Sequence, residues 1–328
     1  MTDLELLNSA GSTGDVFNIY LRKSALICVL VTFASARRRV ASPRQICYNP
    51  TTMTNNTYNV LHDVQNLIVD MDGVLWRGAT PLPGLADFFA FLRRRQIKFV
   101  LATNNASKTS AHYVQRLEGY GVRVAPEEII TSAQATAEYL ARQSEPGTPI
   151  YVIGMAGLLQ PLAEQGFRLL DGHAEPGSAR YVVVGWDEDL TYAKLAEAAL
   201  HIRAGATFIG TNPDRTWPSE HGQKPGTGAT LAALQASTDV EPTVIGKPSP
   251  LMFQIAMGRI KADAAHTAMI GDRLSTDIVG AKNAGLKTIL LLSGVTSPAA
   301  LAALTLQPDL SFENIAALTQ AWKVIQSI

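Results

Sequence analysis

The chain has 328 residues, 47% of them hydrophobic and 17% charged, with 28 basic residues against 28 acidic ones. That length suits two domains of ordinary size, and a formal net charge of zero supplies no global field that would draw the chain to nucleic acid or to an anionic membrane. No basic run with interleaved aromatics is present, and no apolar stretch reaches the roughly 18–20 residues of a membrane span, so nucleic acid and membrane are both excluded as partners.

The first sixty residues stand apart. They carry Arg22, Lys23, Arg37, Arg38, Arg39 and Arg44 against Asp3, Glu5 and Asp15, together with both cysteines, Cys28 and Cys47. An apolar run over residues 25–34 ends in Ala34-Ser35-Ala36, which has the form of a signal-peptidase site. The long, partly acidic leader and the three arginines that follow argue against export. Residues 1–60 read instead as an extension outside the fold, or as the result of a start placed upstream of Met53. After Cys47 no cysteine remains, so disulfides cannot staple the rest of the chain, and a cytoplasmic location suits it.

From residue 67 onward, short apolar runs alternate with amphipathic stretches. Strands are expected over residues 67–70, 98–102, 150–153, 181–184, 207–209, 243–245, 267–270 and 287–292. Helices are expected over 84–95, 108–119, 132–143, 192–204, 227–237, 251–261 and 276–284. Apolar runs without alternation suit strands covered on both faces. Strand and helix in regular succession predict an α/β fold, a three-layer Rossmann-like core with a parallel sheet. The Pro/Gly-rich stretch 144–149 and a second break near 237–242 mark off a segment with strands and helices of its own. The expected organisation is a core over residues 61–145 and 242–328, interrupted by an α/β cap over 146–241.

Four clusters follow expected core strands, and in open parallel sheets ligands bind beyond the carboxyl ends of the strands. Asp70 and Asp72, in Asp70-Met71-Asp72-Gly73, place two carboxylates at i and i+2, where one can act as nucleophile and the other as acid and base. Alone, this is also the pattern of an Asp-rich turn. Thr103, Asn104 and Asn105 offer hydroxyl, amide and backbone N–H groups for phosphate oxygens, while Ser107 could cap the next helix. Lys247, between a strand and a Pro-started helix, can neutralise a phosphate or a set of carboxylates. Asp272 ends an apolar strand and Asp277 follows five residues later; hard carboxylate oxygens there suit Mg²⁺, although Asp277 alone could serve as helix N-terminal charge.

In this order the four clusters resemble the motifs of the haloacid dehalogenase superfamily. The turns Asp70–Trp76, Ala102–Asn105, Thr211–Asp214, Pro225–Gly228, Gly246–Pro250 and Leu292–Val295 resemble its NagD-like and p-nitrophenylphosphatase-like subclass, from about residue 67 to the C-terminus. The resemblance implies a phosphatase for small-molecule phosphate esters, with Asp70 as nucleophile and Asp72 as acid and base. It implies phosphate binding at Thr103, Asn104, Asn105 and Lys247, and a magnesium site of Asp70, Asp72 (through its backbone carbonyl), Asp272 and Asp277. It also implies a cap loop that faces the site with Asn212, Asp214, Trp217 and His221, and it allows a homodimer through the cap. A dehalogenase would need neither Asp72 nor Asp272. A phosphotransferase would differ only in using an alcohol acceptor, and a non-catalytic phosphometabolite-binding protein would not need every catalytic side chain to be present.

Overall fold

A computed structural model describes residues 55–172, 174–219, 221–303 and 305–325. The readings made for residues 1–54, including the signal-like site, the cysteines and Met53, lie outside the described residues. Helix α1 (Asn55–Asp63) precedes β1 (Asn66–Val69), and a small hairpin of β2 (Trp76–Arg77) and β3 (Thr80–Pro81) leads into α2 (Leu85–Arg94). Then come β4 (Lys98–Thr103), α3 (Ser110–Gly119), β5 (Ile129–Thr131) and α4 (Ser132–Ala141). The middle of the chain forms β6 (Pro149–Ile153), α5 (Ala156–Glu164), β7 (Arg168–Leu169), β8 (Tyr181–Val184), α6 (Tyr192–Arg203) and β9 (Thr207–Gly210). It continues with the hairpin β10 (Thr216–Ser219) and β11 (Gly222–Pro225), then α7 (Thr227–Thr238) and β12 (Thr243–Val244). The last part holds α8 (Pro250–Ile260), β13 (Thr267–Gly271), α9 (Val279–Asn283), β14 (Lys287–Leu291), α10 (Pro298–Ala302), β15 (Leu310–Phe312) and α11 (Ile315–Ile325).

Two parallel sheets organise these elements. The first has the order β15-β14-β13-β1-β4-β5 and the second β12-β9-β8-β6-β7. Side chains on the central strands of the first sheet alternate between two apolar clusters. Leu67 and Val69, Phe99 and Leu101, and Ala268 and Ile270 pack with Phe88, Leu117 and Trp322 of α2, α3 and α11. Ile68, Val100 and Met269 pack on the other side with Leu140 and Phe253 of α4 and α8. Burial on both faces is why these strands read as unbroken apolar runs, and helices above and below give the three-layer α/β architecture expected.

The second sheet is built the same way. Tyr151, Ile153, Val182, Val184 and Phe208 pack with Ile202 of α6 and Leu231 of α7. Their alternates Ile150, Tyr181, Val183 and Ile209 join Leu158 and Leu162 of α5 in the cluster that also holds α4 and α8. One apolar cluster therefore runs from the first sheet to the second.

Several local features differ from the expectations. Residues 243–244 pair with β9, in the second sheet, so the chain returns to the first sheet only after Val244. The last residues of the expected extension, 55–60, belong to α1, where Leu61 is buried in the same cluster as Trp322. The helix expected over 276–284 opens with a wider turn at Leu274–Ile278 before α9. Strands β5 and β15 and helix α11 were not expected. The junction of β5 and α4 is fixed by a reciprocal cap in which Thr131 Oγ1 accepts from the Gln134 N–H and Gln134 Oε1 from the Thr131 N–H, each at 3.1 Å. Among the described residues, no helix is long and apolar enough to cross a membrane.

Candidate active site

Strand β1 lies between β13 and β4, where the strand order reverses, and such a switch point opens a crevice at the carboxyl ends of the strands. Asp70 follows the last residue of β1, Thr103 ends β4, and Asp272 follows β13. The Asp70 N–H donates to the Ile270 carbonyl at 2.8 Å, so the ladder continues one residue past the strand and fixes where Asp70 stands.

Asp70, Asp272 and Asp277 each bring one carboxylate oxygen within 4.8 Å of the others. Lys247 enters this cluster from the turn before α8. Its Nζ donates to Asp70 Oδ1 at 2.5 Å and to the Ala102 carbonyl at 3.1 Å, and it lies 2.8 Å from Asp277 Oδ1. The other Asp277 oxygen accepts from the backbone N–H groups of Asp272 and Arg273 at 3.2 and 3.1 Å. Asp272 Oδ2 accepts from the Val295 N–H at 2.7 Å, whereas Asp272 Oδ1 is buried without a hydrogen-bond partner. The backbone also makes room for this carboxylate: a Cβ built on Gly73 or Gly294 would collide with Asp272, and Gly73 has φ +82°, a conformation costly for other residues.

Charge follows from this crowding. Burial drives the Asp70 carboxyl well above its ordinary range, Lys247 opposes the shift, and Asp277 and Asp272 reinforce it. Burial, with Asp277 next, lifts Asp272 to about 6. Burial would lower the Lys247 ammonium, but Asp277 and Asp70 outweigh it and hold it above its ordinary value. Were all three carboxylates ionised, one ammonium would leave negative charge uncompensated. A divalent cation would balance it, and the unpartnered Asp272 Oδ1 is a hard oxygen of the kind magnesium takes. The residues fit that ion.

Asp72 behaves differently from the other carboxylates. Its side chain is exposed and lies outside the three-carboxylate cluster, and its Oδ1 accepts from the Trp76 indole at 2.8 Å. A metal role for Asp72 therefore reduces to its main chain, because its side chain is turned to β2. Thr103 Oγ1 accepts from the Asn105 N–H at 3.1 Å. The Asn105 side chain is turned away to Ser107, accepting from its N–H at 2.8 Å and its hydroxyl at 2.7 Å. Ser107 is thus part of the loop, and the cap of α3 is Thr109, which accepts from the His112 N–H.

Asn104 ties this loop to two others. Its Nδ2 donates to the Lys247 carbonyl at 2.9 Å and to Asp214 Oδ2 at 3.3 Å, while its own carbonyl accepts from Asn212 Nδ2 at 2.8 Å. The sequence therefore brings Asn212 and Asp214, after β9, against the loop that follows β4. Burial raises the Asp214 carboxyl, with the Asn104 amide working against it. Gly228 permits this arrangement, since a Cβ there would meet the Pro213 carbonyl. Trp217, on β10, stacks on Trp186 with ring centres 5.2 Å apart. His221 is exposed beside the turn between β10 and β11.

Sequence reasoning missed Trp186 and assigned no role to Val295, although both sit in short runs after strands, where the other site residues were found. The role of the Trp76 indole was also missed; only the three-dimensional turn reveals it.

A family model described as haloacid dehalogenase-like hydrolase matches residues 67–168, and one described as HAD-hydrolase-like matches residues 244–318. An acid sugar phosphatase of Staphylococcus haemolyticus is 37% identical over 255 residues, covering 78% of this chain and 95% of that protein. The crystal structure of a 4-nitrophenylphosphatase from Thermotoga maritima is similar at 34% identity and a TM-score of 0.75, covering 80% of this chain and 98% of that one. A glycerol phosphate phosphatase from Mycobacterium tuberculosis, solved in complex with magnesium, is similar at 32% identity and a TM-score of 0.73, covering 81% of this chain and 79% of that one.

Proposed function

The chain belongs to the haloacid dehalogenase-like hydrolases and is a phosphatase, and on that premise we propose that it is a magnesium-dependent enzyme that hydrolyses small phosphomonoesters through an aspartyl-phosphate on Asp70. The observation that carries the proposal is the convergence of Asp70, Asp272 and Asp277 on one another with Lys247 bonded into the cluster. Asp70, Asp272, Asp277 and the Asp72 main chain would hold the ion. When bound, magnesium neutralises the charge that otherwise repels a phosphate dianion from a carboxylate.

The chain's own residues then divide the work. Asp70 attacks phosphorus, forming an acyl-phosphate bond as the ester P–O bond breaks. Asp72 gives its proton to the leaving oxygen, then takes one from the water that attacks the same phosphorus, releasing phosphate and restoring Asp70. Thr103 accepts from the Asn105 N–H and so keeps its hydroxyl proton for a phosphate oxygen. The Asn104 side chain is committed to Lys247 and Asp214 and contributes through its backbone. Lys247 offsets the charge of Asp70 and of the incoming phosphate.

In this reading the first sheet is the core and the second, between residues 146 and 244, is a cap. Asn212, Asp214 and the Trp186–Trp217 pair act on the part of the substrate beyond the phosphate. The acid sugar phosphatase, 4-nitrophenylphosphatase and glycerol phosphate phosphatase that it resembles support small phosphate esters as substrates.

Phosphate release from p-nitrophenyl phosphate tests the proposal. Activity in Mg²⁺, its loss in EDTA and its return on adding Mg²⁺ are expected, and Asp70→Asn should abolish turnover while leaving the melting temperature near that of the parent. Retained turnover in Asp70→Asn would remove Asp70 from the nucleophile role.

A further inference from the structure

An exposed aspartate on a turn is a poor general acid unless something aims it, because its terminal torsion is broad. Asp72 is exposed, yet one of its oxygens is held by a group that is itself immobile. Trp76 is fully buried, and its indole N–H, a donor only, meets Asp72 Oδ1 at 2.8 Å. The backbone supports the same contact: Asp72 and Trp76 form a β-bridge, and the Gly73 N–H donates to the Trp76 carbonyl at 2.7 Å.

The indole is held in turn from α3. Tyr113 lies nearly parallel to it, with ring centres 6.4 Å apart and planes 12° from parallel. The Arg116 guanidinium carbon stands 4.2 Å from the centre of the Trp76 ring. Arg116 also donates to the Gly78 carbonyl in the turn between β2 and β3 and, at 3.2 Å, to the Tyr120 hydroxyl, which donates to the Ala79 carbonyl at 2.6 Å. One helix therefore fixes both the turn of the hairpin and the ring that the hairpin carries. A cation over an indole face is attracted by its π-electrons, and drawing on that electron density makes the N–H a stronger donor.

We propose that Trp76, backed by Arg116, is a positioning residue that aims Asp72 at the leaving group. The proposal rests on the reading of Asp72 as general acid and base. With Oδ1 committed to the indole, the proton handed to the leaving oxygen is carried by Oδ2, and the hairpin β2–β3 belongs to the acid–base machinery rather than to packing alone.

The test compares kcat/KM for two esters that differ in their need for a proton: phenyl phosphate, whose leaving group is strongly basic, and p-nitrophenyl phosphate, whose leaving group departs readily without one. In the full-length protein with Mg²⁺, Trp76→Phe should lower kcat/KM for phenyl phosphate about tenfold more than for p-nitrophenyl phosphate, a fraction of what general acid catalysis supplies. Arg116→Met should do so in the same sense but less. Because Trp76→Phe opens space in a buried site, a second variant carries 3-benzothienylalanine at position 76, which keeps the ring shape and replaces N–H by sulfur; it should show the same selectivity with an unchanged melting temperature. Asp72→Asn is the reference and should be selective in the same direction and to a greater degree. If Asp72→Asn is selective while the position-76 variants depress both esters equally, or neither, the indole only packs and the inference is overturned. If Asp72→Asn is itself unselective, the reading of Asp72 as the acid fails, and the inference falls with it.

Discussion

Lys247 is 2% exposed and bridges Asp70 and Asp277, so its charge is what allows carboxylates to crowd at the end of β1. Removing one partner of a buried ion pair leaves the other uncompensated. Lys247→Met should therefore cost the metal-free protein about 3–5 kcal/mol of stability in urea unfolding, and Mg²⁺ should restore more stability to the variant than it adds to the parent. Unchanged stability in EDTA would contradict the role given to Lys247. Gly294 acts through space alone. A methyl group there meets Asp272, so Gly294→Ala should raise the Mg²⁺ concentration needed for half-maximal activity by about tenfold, the usual order for disturbing a ligand's surroundings; an unchanged Mg²⁺ titration would show that Asp272 is not held as described. Asp70 and Asp272 were legible in the sequence because each ends an apolar run. The indole's hold on Asp72 was not, since a tryptophan four residues after an aspartate means nothing until the turn between them is built. The turn of Asn105 toward Ser107 was hidden for the same reason, because such local Asx-type contacts compete with a role in binding phosphate.

At the scale of elements, α6 carries a group whose ionisation state depends on folding. His201 is fully buried; its Nδ1 accepts from the Gly177 N–H at 3.3 Å and its Nε2 lies 4.0 Å from Glu197. Burial lowers its pKa from the ordinary 6.5, with Glu197 opposing. The unfolded chain therefore takes up a proton near pH 6.5 that the folded chain refuses, and stability falls as pH drops below that value until the folded histidine also titrates. His201→Leu should flatten this part of the pH–stability curve relative to the parent, measured by urea midpoints between pH 7.5 and 5.5; parallel curves would show that His201 does not contribute. The main elements were legible because strands such as β1 and β8 are buried on both faces. Short strands were legible unevenly: residues 207–209 and 243–245 form apolar runs, whereas β5 ends in Thr131, which caps α4, and in β15 Ser311 interrupts Leu310 and Phe312. The pairing of residues 243–244 with β9 was equally hidden, because which sheet an edge strand joins depends on tertiary placement rather than on its composition.

For the whole molecule, residues 70, 103 and 272 are dispersed along the chain and brought to one end of the first sheet by its strand order, while Lys247 and Asp277 come from the turns before α8 and α9. Asn104, after β4, also accepts Asn212 and reaches Asp214, after β9, so the loop that borders the carboxylates is bonded to the second sheet's unit. One apolar cluster is shared by α4, α5 and β8. The proposed aspartyl-phosphate route passes phosphorus through two displacements, first by Asp70 and then by water. Hydrolysis, in water labelled with oxygen-17, of an aryl thiophosphate ester made chiral at phosphorus with oxygen-16 and oxygen-18 gives a chiral inorganic thiophosphate whose configuration reports the number of displacements. Two in-line steps predict retention of configuration at phosphorus, and inversion would show that water attacks directly and that no aspartyl-phosphate forms.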